Sequence, residues 1–271
     1  MSKDRCETNL DRLLTELQTY LEANRLNASG SGSGPADRVA DGIPLAHSSA
    51  GENLTKICKS GRLYSPQKLH DLGIKHLKDD AVEKELGTAD FVFLYAAPFS
   101  FPSSGCGFLF SNSLERHHAT TGFATPFDSG GLVKCFQRPS NESPQDFLLR
   151  HELPVPGHRD YLRGCVGFLF EEPFHYIDGT GPNHHGPIKL TGGDDRRWKH
   201  EVRVPVEVVI RSPHLKAVFV PRRLGLVPEV RSLLSWCHSE GFDVEDFDAD
   251  RENDFARLRN ACVEYLRKLL N

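Results

Sequence analysis

Three short segments of the sequence end or begin with side chains that can do chemistry. His47 and Ser49 come at the end of a short apolar run that a helix follows directly. Tyr95 ends a second β-rich run, just before a stop at Pro98, and Glu201 opens a third after a long polar loop. A carboxylate, an imidazole and an aromatic ring at strand ends can bind a polar ligand and stabilise positive charge that develops on it. These three segments are the candidate site.

The elements that must position these side chains are mostly β-rich runs bounded by glycine and proline. Such runs occupy residues 43–48, 91–95, 107–110, 165–170, 201–210 and 215–220. The tetrapeptide Gly-Phe-Leu-Phe occurs in two of them, at 107–110 and 167–170. A short helix at 52–60 follows the histidine segment, and Gly61 is placed to close it. We therefore expect strands to carry the candidate site.

Helical patterns stand at the two ends of the chain. Leucines recur at helical spacing in residues 4–23, and residues 27–35 (Asn-Ala-Ser-Gly-Ser-Gly-Ser-Gly-Pro) have the composition of a flexible linker. Two further helices are predicted at 228–240 and 251–270. The sum is an α+β fold with a mostly β body. We divide it into residues 1–42, a helix plus linker, and a domain at 43–271; the first helix either packs on that domain or binds something else.

Composition and charge exclude several classes of protein. The net charge of −4 is too small for a protein that binds nucleic acid or membranes by charge alone. The longest apolar run, 91–99, is too short to cross a bilayer, and the N-terminus has no apolar segment typical of a signal peptide. The seven cysteines are an odd number without a C-x-x-C pair, which argues against disulfides and structural zinc. We expect a cytoplasmic protein with no membrane partner.

Histidine doublets are the remaining candidates for a metal site. They are His117-His118 and His184-His185. Adjacent residues on a strand point to opposite faces, so a doublet is a poor pair of metal ligands. We expect no metal. Asp128 lies in a turn-forming stretch, residues 125–131, where we expect it to cap the turn rather than bind a ligand.

The candidate segments resemble those of the ADP-ribosyltransferases, and most closely the DarT-like branch of DNA-modifying toxins. The resemblance lies in nine identical positions of the first segment: His47, Glu52, Asn53, Leu54, Ile57, Gly61, Leu63, Tyr64 and Ser65, with Ser49 in place of a threonine. The stretches 92–98 (Val-Phe-Leu-Tyr-Ala-Ala-Pro) and 196–205 (Arg-Arg-Trp-Lys-His-Glu-Val-Arg-Val-Pro) are similar to two later motifs of that branch. The order His, Tyr, Glu is also the family's. The matched stretches cover a minor part of the chain.

The resemblance implies an ADP-ribosyltransferase-like β-sheet core with peripheral helices and NAD as the donor of ADP-ribose. It implies catalytic roles for Glu201, His47 and Tyr95. The residues implied to bind NAD are His47, Ser48, Ser49, Asn53, Leu54, Gly61 and Tyr95. An acceptor in that branch is a nucleic-acid base, so we expect a single-stranded nucleic acid, either DNA or RNA, as acceptor and a possible antitoxin protein as partner.

The same residues suit cleavage of the nicotinamide–ribose bond without the analogy. Nicotinamide is cationic in NAD and leaves neutral, so one carboxylate suffices where most glycosidases need two. Glu201 would hold a ribose hydroxyl and stabilise an oxocarbenium-like transition state. Tyr95 would stack on the nicotinamide ring. The basic stretch around Glu201 would dock the acceptor beside the 178–200 loop; its members are Arg196, Arg197, Trp198, Lys199 and Arg203.

Three alternatives stay open from the sequence. The acceptor could be a protein side chain, or the chain could be a non-catalytic binding module in which the three residues are structural. A hydrolase with Cys106 or Cys165 as nucleophile is a third reading, without a supporting motif. Glu207, six residues beyond Glu201 on the same predicted strand, is the rival carboxylate.

Overall fold

A seven-stranded mixed sheet runs through the part of the chain that the structure describes. The computed structural model describes residues 3–26, 34–74, 81–192, 194–251 and 253–271. The strands are β1 Leu45–Ser49, β2 Arg62–Tyr64, β3 Phe91–Tyr95, β4 Cys106–Phe110, β5 Phe123–Thr125, β6 Glu201–Pro205, β7 Glu207–Val209, β8 Leu215–Pro221 and β9 Asp243–Phe247. Their order in the main sheet is β5-β6-β3-β1-β4-β8-β9, and β2 pairs with β7 in a separate ribbon. Neighbours are antiparallel except β8 and β9.

Helices surround this sheet. They are α1 Lys3–Ala23, α2 Gly34–Gly42, α3 Leu54–Ser60, α4 Pro66–Asp71, α5 Ala81–Leu86, α6 Ser113–His117, α7 Gly131–Lys134, α8 Pro144–His151, α9 His158–Phe168, α10 His175–Asp178, α11 Pro228–Glu240 and α12 Phe255–Leu270. The parallel pair β8–β9 needs a crossover, which α11 provides. The predicted α+β class is confirmed. No helix in the described ranges is long and apolar enough to cross a membrane.

The first helix packs on the body through the leucines that predicted it. Leu10, Leu13, Leu17 and Leu21 are buried in the same apolar core as the sheet, and α1 contacts α8 and α9. The predicted linker falls mainly on residues 27–33, which lie outside the described residues, and its last two residues begin α2. The division at residue 42 stays a prediction, although α2 also places Val39 and Ala40 in that core.

The segment after β1 folds as its residues predict. A short 3-10 turn, Gly51–Asn53, leads into α3, which buries Leu54 and Cys58. Gly61 ends α3 in the left-handed region at φ 69°, a conformation that glycine adopts without steric cost. The next helix, α4, begins with Pro66 and is capped by Ser65, whose Oγ accepts from the Lys68 amide at 3.2 Å.

The predicted strand at 165–170 is wrong, because that stretch completes α9 and the turn that follows it. The buried residues here follow helical spacing, which starts four residues before the predicted strand: Tyr161, Leu162, Cys165, Val166 and Leu169. The Gly-Phe-Leu-Phe of β4 is a strand, whereas its copy at 167–170 is not. The four helices α7 to α10 between β5 and β6 also make the body less β-rich than predicted.

The predicted strand at 201–210 is two strands, broken at Val206. Val206 has φ 65°, a strained value for a β-branched residue. Its N–H donates to the Asp90 carbonyl at 2.7 Å and its carbonyl accepts from the Ser65 N–H at 2.8 Å. The chain thereby leaves the main sheet after β6 and enters the β2–β7 ribbon. There Glu207 forms an ion pair with Arg62, away from Glu201.

Candidate active site

Three neighbouring strands bring the predicted catalytic residues together. Glu201 opens β6, Tyr95 ends β3, and His47 lies in β1, and these strands are adjacent in the order β6-β3-β1. Tyr95 is the register partner of both Glu201 and Ala46. Directly opposite residues of an antiparallel pair point to the same face, so Tyr95 and Glu201 meet above one side of the sheet. His47 is the residue after Ala46, and all three predicted residues line one cavity.

Glu201 is fully buried and accepts hydrogen bonds from Tyr95 and Ser129. The Tyr95 hydroxyl donates to Glu201 Oε2 at 3.4 Å. Ser129 donates twice: its Oγ lies 2.8 Å from Oε1 and 3.0 Å from Oε2, and its amide N lies 3.1 Å from Oε2. Arg203, two residues along β6, places Nε 3.4 Å from Oε1. The tyrosine contact is the longest of the hydrogen bonds, so a ligand hydroxyl would most easily replace it.

The surroundings of Glu201 raise its pKa to about 7. Burial is the largest cause, because it disfavours the charged carboxylate. The Arg203 guanidinium opposes it, the nearby Asp128 carboxyl adds to it, and the Ser129 hydrogen bonds lower it. A carboxyl with this pKa is partly protonated and partly ionised near neutral pH. Such a pKa is typical of groups in active sites.

His47 is fixed by the neighbouring strand. Its Nδ1 lies 3.0 Å from the carbonyl O of Phe93 on β3. Burial lowers the pKa of His47, although the Phe93 hydrogen bond opposes that effect, so the ring is neutral. A carbonyl only accepts, so Nδ1 carries the proton and Nε2 is left as an acceptor for a ligand hydroxyl.

The turn at 125–131 contributes residues that sequence reasoning missed. Asp128 Oδ1 accepts from the Gly130 amide at 2.9 Å, which makes it the predicted cap of the turn. The consequence of this turn is that Ser129 reaches Glu201. Asp128 also raises the pKa of Glu201 and of Tyr95, though burial is the larger cause in both. No pattern in the sequence links Ser129 to a glutamate 72 positions later; only the pairing of β5 with β6 does.

A cavity of about 620 Å³ opens over these residues. Its lining includes the predicted His47, Ser48, Ser49, Asn53, Tyr95 and Glu201, together with the unpredicted Phe101, Ser104, Asp128, Ser129 and Asn253. The polar wall is internally ordered, since Asn53 Nδ2 donates to Ser49 Oγ at 3.1 Å and the hydroxyls of Ser48 and Ser104 lie 2.8 Å apart. Phe101 meets the Tyr95 ring edge-on at 5.3 Å.

Two of the residues predicted to bind NAD lie outside the cavity lining. Leu54 is fully buried in the apolar core. Gly61 ends α3, and the space where a Cβ would stand is empty. Leu54 begins α3 directly after Asn53, and Gly61 ends the same helix. Their observed contribution is to the position of the wall rather than to its surface.

The basic stretch around Glu201 divides into buried and partly exposed cations. Lys199 and Arg203 are buried, with Lys199 paired to Asp195 and Arg203 paired to Glu152, so the acceptor-binding role predicted for them does not fit their burial. Arg196 pairs with Asp194 and also donates to Cys135 Sγ. Arg196, Arg197 and Trp198 are all partly exposed, and the indole packs against the core. Only the exposed members can meet a large ligand.

No group of three or more His, Cys, Asp or Glu side chains within the described residues is arranged to hold a metal. Among the histidine doublets, His117 and His118 meet edge-on with ring centroids 4.8 Å apart, and His214 lies 5.2 Å from His117.

Comparison with known proteins gives a likeness of fold. No protein-family model and no curated protein matches the sequence. The similar solved structures include Thermus sp. 2.9 DarT in complex with ADP-ribosylated ssDNA, with a TM-score of 0.43 and 10% identity, covering 76% of this chain and 94% of that one. The same protein in complex with NAD+ gives a TM-score of 0.44 and 11% identity, covering 76% and 95%.

Proposed function

We propose that this protein is an NAD-dependent ADP-ribosyltransferase that cleaves the nicotinamide–ribose bond at Glu201. The observation that carries the proposal is the contact of Tyr95 with Glu201 at 3.4 Å in the wall of the cavity, with His47 on the next strand. The motifs that resemble ADP-ribosyltransferases supply these same three residues, in the same order. A volume of about 620 Å³ lies within the range of ligand pockets, roughly 300–1,000 Å³.

Each residue has a step in the reaction that its surroundings allow. Glu201 in its ionised form accepts a hydrogen bond from a ribose hydroxyl and stabilises positive charge that develops on the ribose ring as nicotinamide leaves. The cationic nicotinamide ring of NAD favours that ionised form, which offsets the effect of burial on the pKa. The Tyr95 ring contacts the nicotinamide ring through a cation–π interaction worth about 0.5–2 kcal/mol. Neutral His47 accepts from a second ribose hydroxyl through Nε2.

The cysteine hydrolase that the sequence left open finds no support in the structure. Cys106 and Cys165 are buried, and burial raises the pKa of Cys165 to about 12 and that of Cys106 further. The thiolate is the reactive form of cysteine, so both thiols are inert near neutral pH. Neither residue lines the large cavity.

For the acceptor we propose a base of single-stranded nucleic acid. Arg197 and Trp198 are partly exposed just before β6, and the guanidinium lies 6.0 Å from the indole ring. An indole in this place can stack on an unpaired base, at about 1–3 kcal/mol per contact. With few free cations and a net charge of −4, binding should be weak and only slightly salt-dependent. A protein side chain is the second candidate acceptor. A cytoplasmic location remains a prediction from the cysteines and the N-terminus, and a role as a toxin and an antitoxin partner remain predictions of the resemblance.

Transfer of label from NAD to separate pools of single-stranded DNA, RNA and protein tests this proposal. We expect label on single-stranded nucleic acid with the wild type and with Glu207→Gln, whose carboxylate lies in the other sheet, and none with Glu201→Gln. Trp198→Ala and the double change Arg196→Ala with Arg197→Ala should weaken transfer to nucleic acid while leaving nicotinamide release intact. Label on protein alone would refute the nucleic-acid acceptor but would still support the transferase activity. Absence of label with every pool would refute the transferase and favour a binding module.

A further inference from the structure

A row of alternating charges leads from the N-terminal helix to Glu201, and its last three members are buried. Glu152 directly follows α8 and is fully buried. Its Oε1 accepts from Arg203 Nη2 at 2.9 Å, and its Oε2 accepts from Arg5 of α1. Arg203 Nε in turn lies 3.4 Å from Glu201 Oε1. The order along the row is Arg5, Glu152, Arg203, Glu201.

The α1 helix fixes the position of Glu152. Asn9, buried on α1, donates through Nδ2 to the carbonyls of Leu149 at 3.0 Å and of Glu152 at 2.9 Å. Arg12, one turn further, donates to the carbonyl of Arg150. These bonds satisfy carbonyls at the end of α8, which have no partner within the helix. The place of Glu152 therefore depends on α1.

Arg203 is held mainly by Glu152. It is fully buried, and among the described residues its Nε and Nη1 find no hydrogen-bond partner. Its guanidinium carbon lies 5.9 Å from the ring centroid of Phe91 and 6.0 Å from that of Phe123. Two aromatic rings and one carboxylate thus hold this cation beside Glu201. A buried ion pair contributes little net stability compared with apolar side chains of the same size, so its stability does not explain why it is there.

We propose that Arg203 and Glu152 are positioning residues for Glu201, and that α1 completes the site by fixing Glu152 through Arg5 and Asn9. The inference rests on the proposed function, which makes Glu201 the catalytic group. Arg203 aims the carboxylate and favours its ionised form against the effect of burial. Glu152 keeps Arg203 in place and, by its own negative charge, limits how strongly Arg203 acts on Glu201.

The two positioning residues should act on Glu201 with opposite signs. The charged and titratable groups around it are Arg203 on β6, Asp128 before α7, Tyr95 on β3 and, one step removed, Glu152, Arg5 and Glu83. Glu152→Gln removes a negative charge and leaves Arg203 to Glu201 alone, which lowers the pKa of Glu201. The double change Glu152→Gln with Arg203→Gln removes the nearest cation, which raises that pKa. Neighbouring charges shift a pKa by about 1–3 pH units, so both effects are measurable.

Titration of glutamate carboxyl groups by carbon-13 NMR tests the proposal without any assay of activity. Glu201→Gln identifies the Glu201 signal by its loss. We expect the pKa of Glu201 to fall by about one pH unit in Glu152→Gln and to rise by about one in the double variant. Glu142→Gln is the matched control, because Glu142 pairs with Arg150 of the same α8 helix without contact to Arg203. It should leave the pKa of Glu201 unchanged.

Arg5→Gln gives a third measurement, at a side chain that is one-third exposed. With Arg5 gone, Glu152 pairs with Arg203 alone and the pKa of Glu201 should rise. A Glu201 signal with the same pKa in Glu152→Gln, in the double variant and in Arg5→Gln would overturn the proposal. Failure of the proposed function is a separate result: wild type would release no nicotinamide while the Glu201 signal still shifted among the variants. If NAD is cleaved, the acid limb of its pH–rate profile should move in the same direction as the NMR pKa.

Discussion

Two buried glutamates in this protein stand in contrasting surroundings. Glu115, on α6, accepts from His158 Nε2 at 3.1 Å and from Arg159 at 2.7 and 2.8 Å. Burial alone would raise its pKa, but His158 and Arg159 together lower it to about 2. Glu201 has one cation at 3.4 Å and otherwise neutral donors, and its pKa rises to about 7.

This difference in partners distinguishes a carboxylate that stabilises the fold, Glu115, from one that can bind a ligand, Glu201. Arg159 also donates to the carbonyl of Ala40 in α2 and to Asn112, so the Glu115 cluster ties α2, α6 and α9 together. Glu115 does not line the large cavity, whereas Glu201 does. Burial is common to both glutamates. The hydrogen-bond and ion-pair partners decide whether a buried carboxylate is fully paired within the protein or can bind a substrate.

The largest effect that tests this contrast is on stability. Glu115→Gln keeps the shape of the side chain and leaves the buried Arg159 without a full countercharge, which should cost about 3–5 kcal/mol in the free energy of unfolding. Glu201→Gln removes a charge that burial disfavours and should leave that free energy unchanged or higher. Urea unfolding of the two variants measures both values. Equal losses of unfolding free energy in the two variants would contradict the distinction between Glu115 and Glu201.

The pH dependence of stability should carry opposite signs for the two groups. Glu115 has a folded pKa below its ordinary 4.5, so its contribution is present above pH 4.5 and is lost as pH falls toward 2. Glu201 has a folded pKa above 4.5, so its contribution is present below pH 4.5 and is lost as pH rises toward 7.

Unfolding measured from acid to neutral pH should therefore change shape in each variant. As the pH rises above 4.5, the free energy of unfolding should fall less steeply in Glu201→Gln than in the wild type. As the pH falls below 4.5, it should fall less steeply in Glu115→Gln than in the wild type. Identical profiles for Glu201→Gln and wild type between pH 4.5 and 7 would show that the carboxyl of Glu201 titrates normally.

A smaller effect concerns Tyr95, which contacts Glu201. Tyr95→Ala should weaken binding of NAD, whose nicotinamide ring is cationic, by about 0.5–2 kcal/mol, because the ring face of Tyr95 carries the contact. Tyr95→Phe should change it less, since the hydroxyl makes only a 3.4 Å bond to Glu201. Thermal shift with NAD in the Glu201→Gln background measures the difference. If alanine and phenylalanine weaken binding equally, the ring does not stack on the ligand.

Sequence reasoning succeeded where local chemistry decides the structure. The strand, helix and glycine stop around His47 follow from capping and spacing, and the structure has them at 45–61. The duplicated Gly-Phe-Leu-Phe shows the limit, because only the residues before it distinguish the strand of β4 from the end of α9. The break at Val206 depends on bonds to Asp90 and Ser65 from other elements.

Within the site, the three catalytic candidates could be predicted but their partners could not. Ser129 and Glu152 reach Glu201 and Arg203 from turns and helix ends that are 51 to 72 residues away in the chain. Arg203 could not be predicted as buried either, because a basic residue two places after Glu201 is typical of an exposed strand position. It is fully buried because Glu152 and two phenylalanine rings surround its guanidinium.

Release of nicotinamide from NAD tests the central claim most directly. With wild-type protein and single-stranded nucleic acid present, we expect nicotinamide to form, and Glu201→Gln should reduce the rate by about a hundredfold or more because one essential electrostatic group is lost. Glu207→Gln, the matched change in the β2–β7 ribbon, should keep the rate within about threefold of wild type. A rate for Glu201→Gln within about threefold of wild type, or a loss in Glu207→Gln instead, would contradict the account.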